Sequence, residues 1–359
     1  MNMSKQRITA LDYARAWAIF GMIMVNYKLA MGADGSGSYL LRMFSGIFEG
    51  RASALFVVLA GIGVSLMTAK ARNSMDREVI RLQRKTLYKR AAFLFVAGVL
   101  LLLTGWSADI LHYYAFFMLV ASVLIVAPDR VFLVMSVITL LAAQVMQISF
   151  NYGQGWDPTF HEYNGFWTVS GFIRNLLFNG FHPVFPWACF FLIGMWMGRQ
   201  KWLYSGNHKK ILLFAVLGTI VFELLSWGLI QWSFPVLDAN SAHYLFSTKP
   251  MPPTMLYVLS STCSAVAVIM LSFMIVERSG ESRITRGFIH TGQLSLSHYL
   301  GHVLIGLGLL ETVKVLDNGS LAFAIAYGCG YFLLAVIFSY WWRKKWTRGP
   351  VEWIMRKLT

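Results

Sequence analysis

Long apolar runs recur along almost the whole chain, and they decide its solvent before they decide its fold. Ten segments stand out, roughly 12–31, 52–70, 90–105, 109–127, 131–149, 183–199, 211–233, 254–276, 292–312 and 321–342. Most are close to the about twenty residues that a helix needs to cross a hydrocarbon core. Their apolar residues are continuous rather than alternating, which argues against a transmembrane barrel. No soluble domain of 359 residues is 57% hydrophobic and only 13% charged. The expected fold is therefore all-α: a polytopic integral membrane protein of about ten transmembrane helices. The third run is short, and the turn Trp106–Asp109 makes the third and fourth runs a tight hairpin.

The net charge of +15 would point to nucleic acid in a soluble protein. In a membrane protein it is better explained by basic segments gathered on one face. With the N-terminus placed in the cytoplasm, 24 of the 31 lysines and arginines fall on inside segments. Six fall outside (Lys28, Arg42, Arg51, Arg174, Lys249 and Lys314), and Arg15 lies within the first run. This bias predicts N-in/C-in topology, with both termini cytoplasmic and no nucleic-acid partner. The most basic stretch, 70–90, reads as a loop, KARNSMDREVIRLQRKTLYKR. It suits a phosphate-rich ligand such as coenzyme A, or ordinary retention and contact with lipid headgroups. The first run is not expected to be a cleaved signal: it carries Asp12 and Arg15 and lacks a clean small-x-small site. Cys189, Cys263 and Cys329 sit in separate apolar runs without CxxC spacing, so neither a disulfide framework nor a metal site is expected.

Several polar residues interrupt the runs. Arg15 and Asn26 are eleven residues apart, about three helical turns, so they share one face roughly 16 Å apart along the axis. Asp12 lies one turn before Arg15 and is its expected ion partner. Charges at such positions mark a hydrated path or a binding site, or else an arginine snorkelling to the interface. Asp109 and His112, three apart at the outer end of the fourth run, suit a carboxylate-held general base or a satisfied interfacial histidine. His298 and His302 share a face of the ninth run at i,i+4. No third metal ligand accompanies them, and His302, deeper in the membrane, reads as a proton-transferring base or a structural hydrogen-bonding group. His182 and Trp187 begin the sixth run and face an outer mouth, where an interfacial tryptophan is the plainer reading. Arg51 opens the second run, positioned to hold an acidic substrate group or to pair with Asp34 or Glu49. The long outer segment 150–182 carries Trp156, His161, Tyr163, Trp167 and His182, which suits sugar stacking or an interfacial belt.

Six stretches in order carry a family resemblance over nearly the whole chain. LDYARAWAIFGMIMVNYKLA resembles the first helix of the transmembrane acyltransferases related to heparan-α-glucosaminide N-acetyltransferase, which pair an Arg with an Asn eleven residues on. In the more distant acyltransferase-3 family a His takes the place of Asn26. EGRASALFVVLAGIGVSLM resembles the second helix of the same group and of the DUF418 (YeiB-like) membrane proteins. ADILHYYAFFMLVA, HPVFPWACFFLIGMWMGR, MPPTMLYVLSS and TGQLSLSHYLGHVLI resemble later motifs of these families. The resemblance implies one domain over 1–359, heparan-acetyltransferase-like over 8–200 and DUF418-like over 211–359. It also implies transfer of an acyl group from cytosolic acyl-CoA, commonly acetyl-CoA, to a hydroxyl or amine of an extracytoplasmic sugar or glycan. The co-substrate would be acyl-CoA, with no metal. The partners would be the lipid bilayer, acyl-CoA and the acceptor, with a homodimer left open, and the setting a bacterial cytoplasmic (inner) membrane.

By carry-over, Arg15 and Asp12 belong to the acyl-donor tunnel, Asn26 polarises the reacting carbonyl, and His302 matches the His of the late Tyr-Leu-x-His motif. Arg51, His182, Trp187 and His298 are the remaining substrate-binding candidates. In one respect the chain departs from the heparan enzyme, which has a His shortly after that Asn. The segment from Tyr27 to Arg51 contains none, so either His302 or His112 supplies the base or that chemistry is lost. A transporter or flippase of an amphiphile, and a non-catalytic membrane protein, are the competing classes.

Overall fold

The computed structural model describes residues 3–204, 206–280 and 282–359, and their side chains except at 3–8 and 204; Lys5 and Arg7, counted among the inside cations, lie outside the described side chains. All regular elements among the described residues are helical. In chain order they are α1 (Met3–Ala30), α2 (Tyr39–Gly46), α3 (Arg51–Met67), α4 (Ala69–Ser74), α5 (Arg77–Leu103) and α6 (Leu111–Leu124). Then come α7 (Asp129–Ser149), α8 (Val169–Arg174), α9 (Val184–Met197), α10 (His208–Ser233), α11 (Ala239–Phe246) and α12 (Met255–Ser279). The last are α13 (Arg283–Gln293), α14 (Ser295–Gly301), α15 (Gly308–Thr312), α16 (Leu321–Lys345) and α17 (Pro350–Leu358). A π-helical turn, Asn175–Asn179, follows α8, and a second, His302–Leu307, joins α14 to α15.

The chain is a polytopic helical membrane protein. Among the described residues six segments are long and apolar enough to cross a bilayer: Tyr39–Met67, α5, α7, α10, α12 and α16. A seventh is reached if Val169–Asn179 and Val184–Met197, bent by 50°, count as one span. This is fewer than the ten expected, and the reasons are local. Asp12, Arg15 and Asn26 dilute the apolar content of α1. Helix α6 has only 14 residues. The run expected over 292–312 is divided among α13, α14, the π turn and α15.

The 70–90 segment is also not a loop. Asp76 caps α5 by accepting from the Glu78 and Val79 N–H groups at 2.8 and 3.1 Å, and helix runs from Arg77 through the basic residues into the apolar span. Helix α13 starts at Ser282, whose hydroxyl accepts from Thr285 N–H at 3.2 Å. Helix α16 ends in Arg343, Lys344 and Lys345, beside the negative end of its dipole.

Contacts divide the chain into two units. The first comprises Met1–Phe56, Asn207–Leu213 and Ala265–Lys357. Its core forms where α1 packs on α13 and α16, with Tyr13 stacked on Phe288 at 5.3 Å and Phe20 against Phe332 at 4.9 Å. Gly292 lets α13 lie on the α1 backbone, because a Cβ there would collide with the Asp12 carbonyl. The second unit comprises Val57–Gly206, Phe214–Ser264 and Leu358–Thr359. In it α5 pairs with α6 and α7 with α9. Gly61 and Gly194 face each other's helices reciprocally: a Cβ on the first would strike the Phe191 carbonyl, and one on the second the Val58 carbonyl. Such small-residue crossings are how helices approach closely in lipid.

Candidate functional site

In the first unit, α1 presents two polar levels. At the lower one, Arg15 Nη1 donates to Asp12 Oδ1, and Gln293 Nε2 of α13 donates to Asp12 Oδ2 at 3.1 Å. Asp12 is buried and Arg15 half-buried, so this charge pair sits among packed helices with its carboxylate satisfied from both sides. At the upper level, Asn26 Nδ2 lies 2.8 Å from His302 Nε2, across 276 residues of sequence, and both side chains are buried. The ion pair expected of Asp12 and Arg15 is formed, and Asn26 and His302, the amide and the candidate base, are in contact.

The backbone around His302 explains how its ring reaches α1. A π turn displaces carbonyls from their usual partners. Tyrosine hydroxyls donate to two carbonyls of this one: Tyr27 to His302 O at 3.2 Å and Tyr327 to Gly306 O at 2.8 Å. Gly306 is required here, since any Cβ would run into the Tyr27 hydroxyl. Tyr331 closes the cage, 5.9 Å from the Tyr27 ring. His298 goes elsewhere. Ser339 gives its proton to the Ala335 carbonyl at 2.7 Å, so its oxygen accepts from His298 Nε2 at 2.6 Å. The i,i+4 spacing therefore sends the two imidazoles to different helices, His302 to α1 and His298 to α16. Lys28 engages both Asp34 and Glu49, at 2.6 and 2.5 Å, the two carboxylates suggested for Arg51.

The second unit carries its own cluster. Asp109 Oδ2 accepts from the His112 N–H at 3.0 Å and contacts His112 Nδ1 at 2.9 Å. With the ring's Nδ1 donating to the carboxylate, the lone pair lies on Nε2. A Cβ at Gly98 of α5 would come within 2.5 Å of both Asp109 Oδ2 and His112 N, so that glycine admits the start of α6. His112 lies 3.8 Å from the Tyr113 ring, Tyr113 lies 6.0 Å from His182, and His182 meets Trp187 edge-on at 4.5 Å. All four are buried. Among the described residues, His112 Nε2, His182 Nδ1 and Trp187 Nε1 find no hydrogen-bond partner. Buried polar atoms in that condition are costly to leave unpaired.

Sequence reasoning overlooked several polar side chains. Gln293 and Tyr27 support the two levels on α1. Asn179 ties the 150–182 segment together: its Nδ2 donates to the Tyr152 and Gln154 carbonyls, both at 2.8 Å, and its Oδ1 accepts from Tyr163 at 2.7 Å. Trp156 and Tyr163 are thereby committed to packing, with ring centroids 5.0 Å apart, whereas Trp167 is exposed. Glu223, within α10, accepts from Ser260 Oγ at 2.6 Å and Thr248 Oγ1 at 2.8 Å. The available signal for Glu223 was its standing as the only acid in the run 211–233.

Comparison with known proteins agrees over the full length. The family described as "Heparan-alpha-glucosaminide N-acetyltransferase, catalytic" matches residues 7–232, and "Protein of unknown function (DUF418)" matches 197–359. Similar full-length proteins include the uncharacterized protein YxaH of Bacillus subtilis (strain 168), 22% identical over 100% of this chain and 95% of its own length. The uncharacterized protein YeiB of Escherichia coli (strain K12) is 22% identical over 99% of this chain and 96% of its own.

Proposed function

The chain belongs to the heparan-alpha-glucosaminide N-acetyltransferase catalytic family, and from that premise we propose that it is a membrane-embedded acyltransferase. It moves an acyl group, acetyl foremost, from cytosolic acyl-CoA to the hydroxyl or amine of an extracytoplasmic sugar or glycan. Its place is the bacterial cytoplasmic membrane, with both termini inside. The observation that carries this reading is the buried contact between Asn26 and His302, 2.8 Å, on the helix that also bears the Asp12–Arg15 pair.

The chemistry follows from what those groups can do. With the Asn26 amide donating, His302 Nε2 is the acceptor. An incoming hydroxyl or amine displaces that hydrogen bond and passes its proton to Nε2 as its oxygen or nitrogen attacks the thioester carbonyl. The released amide N–H groups turn to the developing oxyanion, where a low dielectric strengthens them. The new acyl bond forms, the C–S bond breaks, and the coenzyme A thiolate leaves with the proton returned from His302. Arg15 serves the anionic or amide portion of the donor, and Asp12 orients it. Arg51, of the same unit, serves the acceptor. The Asp109–His112 dyad, with its lone pair on Nε2, is the alternative base.

Purified protein incubated with labelled acetyl-CoA tests this. His302→Ala and Asn26→Ala should each lose about 10²-fold or more in acyl transfer or acyl-CoA hydrolysis while inserting normally. If both retain the native rate and His112→Ala does not, the base is His112. If the native protein transfers and hydrolyses nothing, the enzymatic reading fails. A transporter of a small amphiphile is the second reading, favoured by the helix broken by 50° between Asn179 and Val184 and by the π turn at His302. A labelled solute crossing liposomes without chemistry decides for it.

A further inference from the structure

Helix α5 of the second unit begins with an arrangement that weakens the helix unless something answers it. Arg77, Arg81, Arg84 and Lys85 line one cleft of about 490 Å³, and no acidic residue is among its lining side chains. Arg77 and Arg81, and again Arg81 and Lys85, are like charges at i,i+4, which repel. Arg77 stands in the first turn, at the positive end of the helix dipole, where a cation is disfavoured, and the other three follow within the next two turns. The nearby carboxylates offset this only partly. Asp76 is engaged as the N-cap, and Glu78 reaches Arg81 at 3.4 Å with both side chains more than two-thirds exposed, a geometry that contributes little.

The cleft is shaped as well as charged. Arg84 Nε donates to the Ser122 carbonyl at 3.0 Å, which holds the guanidinium against the end of α6. Ile80 and Val126 add apolar lining, and Tyr88 an aromatic one. Cations together with an aromatic and apolar side chains are the composition of a headgroup-level site. Three guanidiniums suit a tetrahedral, multiply charged oxyanion better than a carboxylate.

We propose that this cleft binds a phosphate ester at the membrane surface. The ester has two sources, the headgroup of an anionic phospholipid or the phosphate of a soluble nucleotide, and both present the same group to the same four cations. The inference does not rest on acyl transfer, so a chain inert toward acetyl-CoA answers it equally well.

The test uses the full chain in phosphatidylcholine nanodiscs, titrated separately with a short-chain phosphatidylglycerol, a short-chain phosphatidylcholine and adenosine 3′,5′-bisphosphate. The native chain should bind one or both anionic probes in preference to phosphatidylcholine, more weakly as salt is added. Arg81→Gln combined with Lys85→Gln changes two exposed side chains and should weaken that binding about 30-fold, from roughly tenfold or less per cation near the surface. Lys209→Gln with Lys210→Gln, an equal loss of exposed charge on α10, should leave it unchanged. Retention of phosphatidylglycerol alone names lipid as the source, and retention of the bisphosphate alone names the nucleotide. The proposal is overturned if neither anionic probe is preferred, if the α5 variant binds like the native chain with an unaltered unfolding transition, or if the α10 variant loses as much.

Discussion

Tyr27 is fully buried, and its hydroxyl donates to the His302 carbonyl at the start of the π turn. Removing it by Tyr27→Phe deletes that hydrogen bond, at a cost of about 1 kcal/mol. Gly306→Ala reaches the same contact from the other side, forcing a methyl group into the Tyr27 hydroxyl, at about 1–3 kcal/mol. Both should lower the unfolding midpoint of the detergent-solubilised protein. An unchanged midpoint for both would show that the tyrosine cage does not hold the turn. At this scale the sequence told half the story. Asn26 and His302 are legible because an amide and an imidazole inside apolar runs are expensive and invite a reason. Tyr27 is not, because tyrosine sits in such runs without penalty, and its role depends on a backbone irregularity that no side-chain spacing announces.

Charge misled the reading at the level of whole elements. A stretch with eight cations between 70 and 90 looks like a loop, yet a helix forms there once Asp76 satisfies its first N–H groups. The same logic, played with a distant residue, governs the ninth run. Helix α14 starts at Ser295 without a cap of its own, and Glu352 of α17 supplies one. Its carboxylate accepts from Leu296 N–H at 2.8 Å, Ser297 N–H at 3.0 Å and the Ser297 hydroxyl. Glu352→Ala should therefore loosen the helix that leads to His302. Charged hydrogen bonds of this kind contribute about 1.5–3 kcal/mol, so amide exchange at Leu296 and Ser297 should quicken about 10- to 100-fold. Exchange at the native rate would mean that the latch is idle. The loop after α7 depends on a carboxylate too. Asp157 accepts from the Thr159, His161 and Glu162 N–H groups at 2.9, 2.8 and 2.7 Å and from the Thr159 hydroxyl. These bonds, Thr159 first, hold its carboxyl down to about 2. A depressed carboxyl stabilises the folded loop above its ordinary value near 3.8, and that contribution disappears as pH falls through about 2. Limited proteolysis between 157 and 162 should thus rise on acidification from pH near 4 to near 2. In Asp157→Asn cleavage should be high throughout and independent of pH.

Topology is where the whole molecule must reconcile length with charge. Among the described residues six segments have the length and composition to cross, and α1 is not among them. Only one of these six, Tyr39–Met67, then separates the N-terminal arm from the start of α5, so Lys5 and Arg7 fall on the face opposite the cluster at 77–90. That scatters basic residues over both faces, against the bias that membranes impose on short flanking segments. If α1 also crosses, the two groups share a face. The crossing is physically admissible because the polar groups that dilute α1 have partners: Asp12 is held by Arg15 and Gln293, and Asn26 by His302. The expectation is that α1 spans the membrane, so that an N-terminal tag and residue 40 lie on opposite faces. In a chain with Cys189, Cys263 and Cys329 replaced, Leu40→Cys, at a side chain 75% exposed, should react with a membrane-impermeant maleimide applied to intact cells. The N-terminal tag should become accessible only after permeabilisation. Should the tag and Cys at position 40 respond together, α1 does not cross. The Asn26–His302 contact would then lie outside the hydrocarbon region, and a route for acyl transfer through the bilayer along α1 would lose its physical basis.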